Sequence, residues 1–260
     1  MAPRKSDKTP VLGSHQKCWL WGRHVVRETL RAGRWPILEL HLARNLPEDE
    51  LNEAGRAAAH LAVHVKIQSP DRLLELCHAR GHQGYLARMS LFPYASVAEV
   101  LARRPPAPLY AVLDAVQDPQ NFGAIIRTAE VFALDALFIA EARQVGVTTA
   151  VARASAGAVN RVDVARVDDL VVLADTLRDA GVRLVGATEK AQTPLTDFDF
   201  AQPAAVLVGS EAEGIRPALR DRCDDLVRIP QHGAIGSLNA ATAAAILFYE
   251  ARRQRRQAAP

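Results

Sequence analysis

Cysteine is scarce in this 260-residue chain: Cys18, Cys77 and Cys223 stand far apart and in no CxxC spacing. That argues against a disulfide framework and suits a reducing compartment. Long apolar runs are missing too. Nothing approaches the ~20 residues needed to span a bilayer, and Met1 to Leu20 is polar with no apolar leader segment, so the chain reads as cytoplasmic. Aromatics make up only 5% of the residues, and the three tryptophans, Trp19, Trp21 and Trp35, gather near the N-terminus, where core packing is favoured over base stacking. The histidines offer two i,i+4 pairs, His60 with His64 and His78 with His82, but no third ligand at useful spacing, so no metal is expected. Nor does a GxGxxG follow the first strand of the larger half, which leaves a dinucleotide oxidoreductase without its phosphate loop.

What is present is an ordinary globular composition, 49% apolar, with a net charge of +3 that is unevenly spread. Residues 1–20 and 251–260 hold eight Lys or Arg against one Asp, so the middle is slightly acidic and the basic excess is terminal. Such ends, ArgArgGlnArgArg at 252–256 among them, can reach the phosphates of a polyanion or simply be solvated. Residues 1–16 are aperiodic and read as a disordered basic arm. From residue 17 to 95 short helical and strand patterns alternate: helices over 22–30, 47–61 and 69–79, strands over 37–42, 63–67 and 84–89. Pro47 is expected in the first turn of its helix, and Ser69 and Pro70 as N-cap and N1 of theirs. A linker at 96–108 ends in ArgArgProProAlaPro, and a larger α/β unit follows over 109–256, with a tail at 257–260. Its strands, separated by helices, imply a mostly parallel covered sheet.

Three turns of this larger unit share one grammar of strand, polar turn and helix, and they are expected to form one pocket. The first is Asp118 to Arg127, DPQNFGAIIR. Asp118 and Pro119 are explained as a helix start, which leaves Asn121, Gly123 and Arg127 over. Gly123 and Arg127 share a helix face near the positive N-terminus, an outline of an anion site, although an Arg is equally at home on a solvated face. The second turn, Gly209 to Gly214, brackets Ser210, Glu211, Ala212 and Glu213, and a carboxylate at 211 near a strand end wants a cationic partner. The third runs from Ile229 to Asn239. There Ser237 is expected to cap the last helix, and Asn239 to lie one turn inside it as a buried amide needing partners.

Taken together, Asn121-Phe-Gly123 with Arg127, Gly209-Ser-Glu211-Ala-Glu-Gly214, and Ile229-Pro230 with Ser237-Leu238-Asn239 resemble the SpoU/TrmH family of RNA ribose 2'-O-methyltransferases in the SPOUT superfamily. The resemblance covers about residues 109–254. Trp19 to Arg88 further resembles the family's L30e-like N-terminal RNA substrate-binding domain, and the layout is closest to the RlmB group, which modifies a guanosine of 23S ribosomal RNA. It implies an α/β trefoil knot, S-adenosylmethionine as cofactor, RNA as partner, and a homodimer built on the C-terminal helix, which the apolar run Ala240 to Phe248 suits. It places Gly209, Ile229, Leu238 and Thr188 at the cofactor, and gives Arg127, Asn121, Glu211, Ser237 and Asn239 catalytic roles.

The implied chemistry is displacement at a sulfonium methyl by a ribose hydroxyl, and alignment of the two reactants is worth on the order of 7–11 kcal/mol. Arg127 is too weak an acid to serve easily as a base. Its expected part is to clamp the adjacent phosphate and stabilise the developing alkoxide. One departure from the family pattern is Ala212 in place of glycine, expected to weaken cofactor binding rather than abolish activity. Transfer RNA is the alternative substrate, and a catalytically lapsed RNA-binding protein the alternative class.

Overall fold

The structure, a computed structural model, describes residues 12, 18–103, 105–210, 213–233 and 236–258, and divides into two compact units. The elements in the first stretch are β1 (Trp19–Trp21), α1 (Arg23–Ala32), β2 (Ile37–Ala43), α2 (Glu48–His60), β3 (His64–Gln68), α3 (Pro70–Cys77) and β4 (Tyr85–Met89). Then come α4 (Val97–Ala102), β5 (Leu109–Leu113), α5 (Pro119–Val131), β6 (Ala136–Ala140), α6 (Thr149–Ala154), β7 (Val164–Val167), α7 (Leu170–Asp179) and β8 (Arg183–Ala187). The chain closes with β9 (Thr193–Pro194), β10 (Ala204–Val208), α8 (Pro217–Arg220), β11 (Asp225–Arg228) and α9 (Ala240–Ala258).

The smaller unit runs to Pro93 and also takes in Val147–Asn160, which carries α6. Its four-stranded sheet has the order β1-β4-β2-β3, with β2 and β3 parallel and the other pairings antiparallel. Local chemistry sets the helix ends. The Ser69 side chain accepts from the Arg72 N–H with Pro70 at the first helical position, as the sequence led us to expect. Pro47, by contrast, precedes α2 in extended backbone rather than sitting in its first turn. Trp19 and Trp35 are 4% and 1% exposed, so both are core residues, and the Trp35 indole N–H donates to the Ser90 carbonyl. Trp21 carries the Arg153 guanidinium 4.2 Å above its ring.

The larger unit is a seven-stranded sheet in the order β7-β6-β5-β10-β8-β11-β9, with every recorded pairing parallel. All five residues of β5, β6 and β10 are buried, which is what strands covered on both faces require. The fold class is therefore the expected α/β architecture. Two short strands escaped the sequence pattern: β1 of three residues and β9 of two, the latter an edge strand that tolerates Pro194. The chain leaves β5 toward β6 on one side, and leaves β10 toward β11 on the other, although β5 and β10 are neighbours. Loops diverge there and open a crevice at the carboxyl ends of the strands.

α9 packs against α5 and β10, and its basic end is not a free tail. Arg252 donates to the carbonyls of Phe132 and Ala133, Arg253 pairs with Glu250, and Arg255 donates to the carbonyls of Phe200, Ala107, Pro108 and Gln202. Three of the four arginines in 252–256 thus bond within the chain, so this run is not simply solvated. Residues 1–11 and 13–16 of the expected arm lie outside the described residues. Among the described residues no helix is long and apolar enough to cross a membrane.

Candidate active site

The crevice is walled by the turns after β5, β6, β8, β10 and β11. After β5, the Asp118 side chain accepts from the Gln120 N–H at 2.9 Å and Pro119 opens α5, so Asn121 and buried Gly123 fall in its first turns. Arg127 lies further along the same helix, with an exposed side chain. Further on, between β11 and α9, stands Asn239, whose side-chain oxygen accepts from the N–H groups of Ala241 at 2.9 Å and Thr242 at 3.2 Å. Asn239 is therefore the cap of α9. The expectation that Ser237 caps and Asn239 sits inside the helix is corrected: the helix starts at Ala240, and Ser237 is an exposed turn residue. With its oxygen used in capping, the Asn239 amide is oriented so that its NH2 donates to the Asn121 side-chain oxygen at 3.0 Å.

The turn after β10 is closed on itself. The Gly214 N–H donates to the Ser210 carbonyl at 2.9 Å, the Glu213 N–H donates to the Ser210 hydroxyl at 3.1 Å, and Gly214 takes φ +67°. A Cβ on Gly209 would lie 2.0 Å from the Gly214 carbonyl carbon, so this crossing admits no side chain. The next stretch is fixed from β5. Asp114, 2% exposed, accepts from the Arg216 N–H at 2.9 Å and from the Arg216 Nε at 2.7 Å, and so ties the two diverging loops together.

Two adjoining cavities result. One, of about 330 Å³, is lined by Thr188, Gly209, Ile229, Ser237 and Leu238 among others. Leu238 is 37% exposed there, an apolar side chain with room for a ligand to cover it. The second, of about 350 Å³, lies at the β5/β10 crevice and is lined by Ala115, Asp118, Asn121 and Arg143. Both include Ser210, Glu213 and Ala240. Instead of one pocket, the three turns make two that share a wall.

Of the residues singled out in the sequence, Thr188, Gly209, Ile229, Leu238 and Ser237 come together on the first cavity, and Asn121 lines the second while its side chain meets Asn239. Arg127 lines neither. Glu211 and Ala212 lie outside the described residues. Sequence reasoning missed Asp114 and Arg143. The first sits at a strand end where a carboxylate after an apolar run was the available signal, and the second lies in a turn with no motif. The cysteines are poorly suited to nucleophilic work, since burial pushes all three thiols up, Cys223 to about 12. Among the described residues no three His, Cys, Asp or Glu side chains gather as a metal would need.

Comparison with known proteins identifies the family of this fold. The SpoU rRNA Methylase family model matches residues 108–249, and a model for RNA 2'-O ribose methyltransferase substrate binding matches residues 19–95. A Bacillus subtilis chain assigned to the TrmH family of tRNA/rRNA methyltransferases is 31% identical over 245 residues, covering 93% of this chain and 98% of the relative. An uncharacterised tRNA/rRNA methyltransferase of Mycobacterium leprae is 35% identical over 258 residues, covering 97% and 82%. Among solved structures, the SpoU methyltransferase AviRb of Streptomyces viridochromogenes, in complex with AdoMet, is similar with a TM-score of 0.78 at 28% identity, covering 93% of this chain and 92% of that one.

Proposed function

The chain belongs to the SpoU family of S-adenosylmethionine-dependent RNA methyltransferases, and on that premise we propose that it methylates a ribose 2'-hydroxyl of a guanosine in 23S ribosomal RNA. The observation that carries the reading is the pair of cavities sharing Ser210, Glu213 and Ala240, one sized for a cofactor and one for an acceptor. Small-molecule sites span roughly 300–1,000 Å³ and are largely apolar with a few placed polar groups. The first cavity falls within that size range, and its lining mixes apolar Ile229 and exposed Leu238 with polar Thr188 and Ser237. Its residues fit S-adenosylmethionine, which has an apolar purine face and polar ribose and amino-acid ends.

When bound, S-adenosylmethionine supplies a sulfonium methyl open to displacement by an oxygen nucleophile. The side chains do the rest. Asn121 and Asn239, locked together at 3.0 Å, are assigned to orienting the ribose, since the capping of α9 leaves the Asn239 amide no freedom to turn. Arg127, exposed on α5, is assigned to the phosphate beside the target and to the charge that develops on the attacking oxygen. Ser237 and Glu211 complete the polar set, Glu211 as its charge balance. Asp114 holds the crevice in shape through Arg216.

Ribosomal RNA is favoured over transfer RNA by the separate N-terminal unit, which matches a substrate-binding family model. We assign a homodimer to the apolar surface where α5 and α9 meet: Val131 is 66% exposed, Tyr249 55% exposed, and Phe132 packs edge-on against Tyr249. A threaded C-terminal segment, as in the family's knot, and a cytoplasmic location belong to the same proposal. The test is methyl transfer from labelled S-adenosylmethionine to unmodified ribosomal RNA and, separately, transfer RNA, with Arg127→Ala as control. Label at a ribose of ribosomal RNA, lost in the variant, is the expected result. Label on transfer RNA alone replaces the substrate, and RNA binding without label returns the reading to a lapsed enzyme.

A further inference from the structure

Seven non-glycine residues among those described have left-handed φ. Five of them, Ala62, His78, Gln83, Ala133 and Ala156, stand just past a helical turn, where such a residue is an ordinary stop. The other two are Ala115 at φ +63° and Arg143 at φ +61°, in the turns after β5 and β6, and both line the 350 Å³ cavity. Backbone of this kind is disfavoured for any residue with a Cβ, and it persists where surrounding structure holds it for a purpose.

The holding contacts are visible. Immediately after Arg143, the Gln144 side-chain oxygen accepts from the Val116 N–H at 2.8 Å, and the Val145 N–H donates to the Val116 carbonyl at 3.1 Å. The turn after β6 is thereby stitched to the turn after β5, and Arg143 is set at the cavity. Its guanidinium donates to Glu213 at 3.0 Å, with the two side chains 53% and 64% exposed. An ion pair that wet is weak, so it does not account for the left-handed backbone, and it exchanges readily for a stronger anion. Glu213 itself belongs to the wall common to both cavities.

We propose that Arg143 receives a backbone phosphate of the acceptor RNA strand at the mouth of this cavity, and that Glu213 keeps the guanidinium in place until phosphate displaces its carboxylate. The assignment rests on the RNA methyltransferase reading above and adds to it a positioning residue for the strand.

Arg143→Gly is the direct test, because glycine adopts φ +61° freely and the turn keeps its course. Binding of an unmodified 23S ribosomal RNA transcript is measured against salt concentration, and S-adenosylmethionine binding is measured separately by calorimetry. Losing one phosphate contact should weaken RNA binding about tenfold at low salt and flatten the log–log salt slope by about 1. Arg143→Lys should keep most of the slope, and the cofactor Kd should not move. Glu213→Gln, which frees the guanidinium, should tighten RNA binding about two- to threefold. An unchanged slope in Arg143→Gly overturns the assignment. So does a rise in the cofactor Kd that matches the loss of RNA affinity, which would make Arg143 a cofactor ligand. Because the slope is read on binding, it judges Arg143 separately from methyl transfer, whose absence in the wild type would refute the functional reading instead.

Discussion

Gly209→Ala is the most demanding single substitution the site offers. The added methyl would sit 2.0 Å from the Gly214 carbonyl carbon, 2.2 Å from its oxygen and 2.3 Å from the Ile215 nitrogen, whereas ordinary contact begins at 3.4 Å. The crossing strand must therefore retreat by about 1.4 Å, the difference between 2.0 and 3.4 Å. All three obstacles are backbone atoms, so no rotamer change relieves them. The retreat pulls Gly214 off the Ser210 carbonyl and Ile215 away from the stretch held by Asp114. Overpacking of this kind costs about 1–3 kcal/mol, and a pure backbone clash belongs at the upper end, about 2–3 kcal/mol. Much of that cost is met by displacing the turn rather than by unfolding the sheet. The proposed cofactor cavity then loses its wall, and S-adenosylmethionine affinity should fall roughly 30- to 150-fold at 1.4 kcal/mol per decade. Titration calorimetry of the two proteins with S-adenosylmethionine reads this directly, and a circular-dichroism melt shows whether the fold survives. A folded Gly209→Ala protein with wild-type affinity would refute both the clash argument and the placement of the cofactor against this turn.

Other substitutions separate fold from chemistry. Asn239→Ala removes the cap of α9 and should cost about 1 kcal/mol, lowering Tm by about 2–4 °C, whereas Ser237→Ala should leave Tm unchanged and act on methyl transfer alone. Arg255→Ala strips donors from four backbone carbonyls and should destabilise the larger unit by about 2–3 kcal/mol in urea titration; Arg255→Lys should rescue little, since one ammonium cannot span that set. In the smaller unit, hydrogen bonds from Lys66, then Arg88 and His41, hold the Glu39 carboxyl down at about 2. A depressed carboxylate contributes stability above its unfolded value of 4.5, and that contribution is lost as pH falls from there toward about 2. Melts across that window should show the loss in the wild type, and a much smaller one in Glu39→Gln.

The sequence by itself determined most of the elements and several of the turns. Apolar runs such as Ala204–Val208 appear as strands, and Ser69-Pro70 and Asp118-Pro119 start helices as their side chains dictate. These features depend on residues within one turn of each other, where hydrogen-bond chemistry and periodicity act locally. The candidate cofactor residues Thr188, Gly209, Ile229 and Leu238 were named through the family resemblance; the first three sit just past strand ends, which parallel strands bring to one edge, and all four line one cavity. Only the tertiary structure decided the rest. Nothing local distinguishes Ser237 from Asn239 as the cap of α9, since both are good capping residues and the choice depends on how the turn after β11 meets Asn121. The arginines of 252–256 read as a basic end until carbonyls 50 to 150 residues away were brought beneath them. The strand order that puts β10 beside β5 is likewise a long-range fact, and it opens the crevice, pairs Asp114 with Arg216 and sets Arg143 opposite Glu213. Contacts at such separation carry no periodic signature, because each depends on the packing of the whole sheet rather than on the residues that flank it.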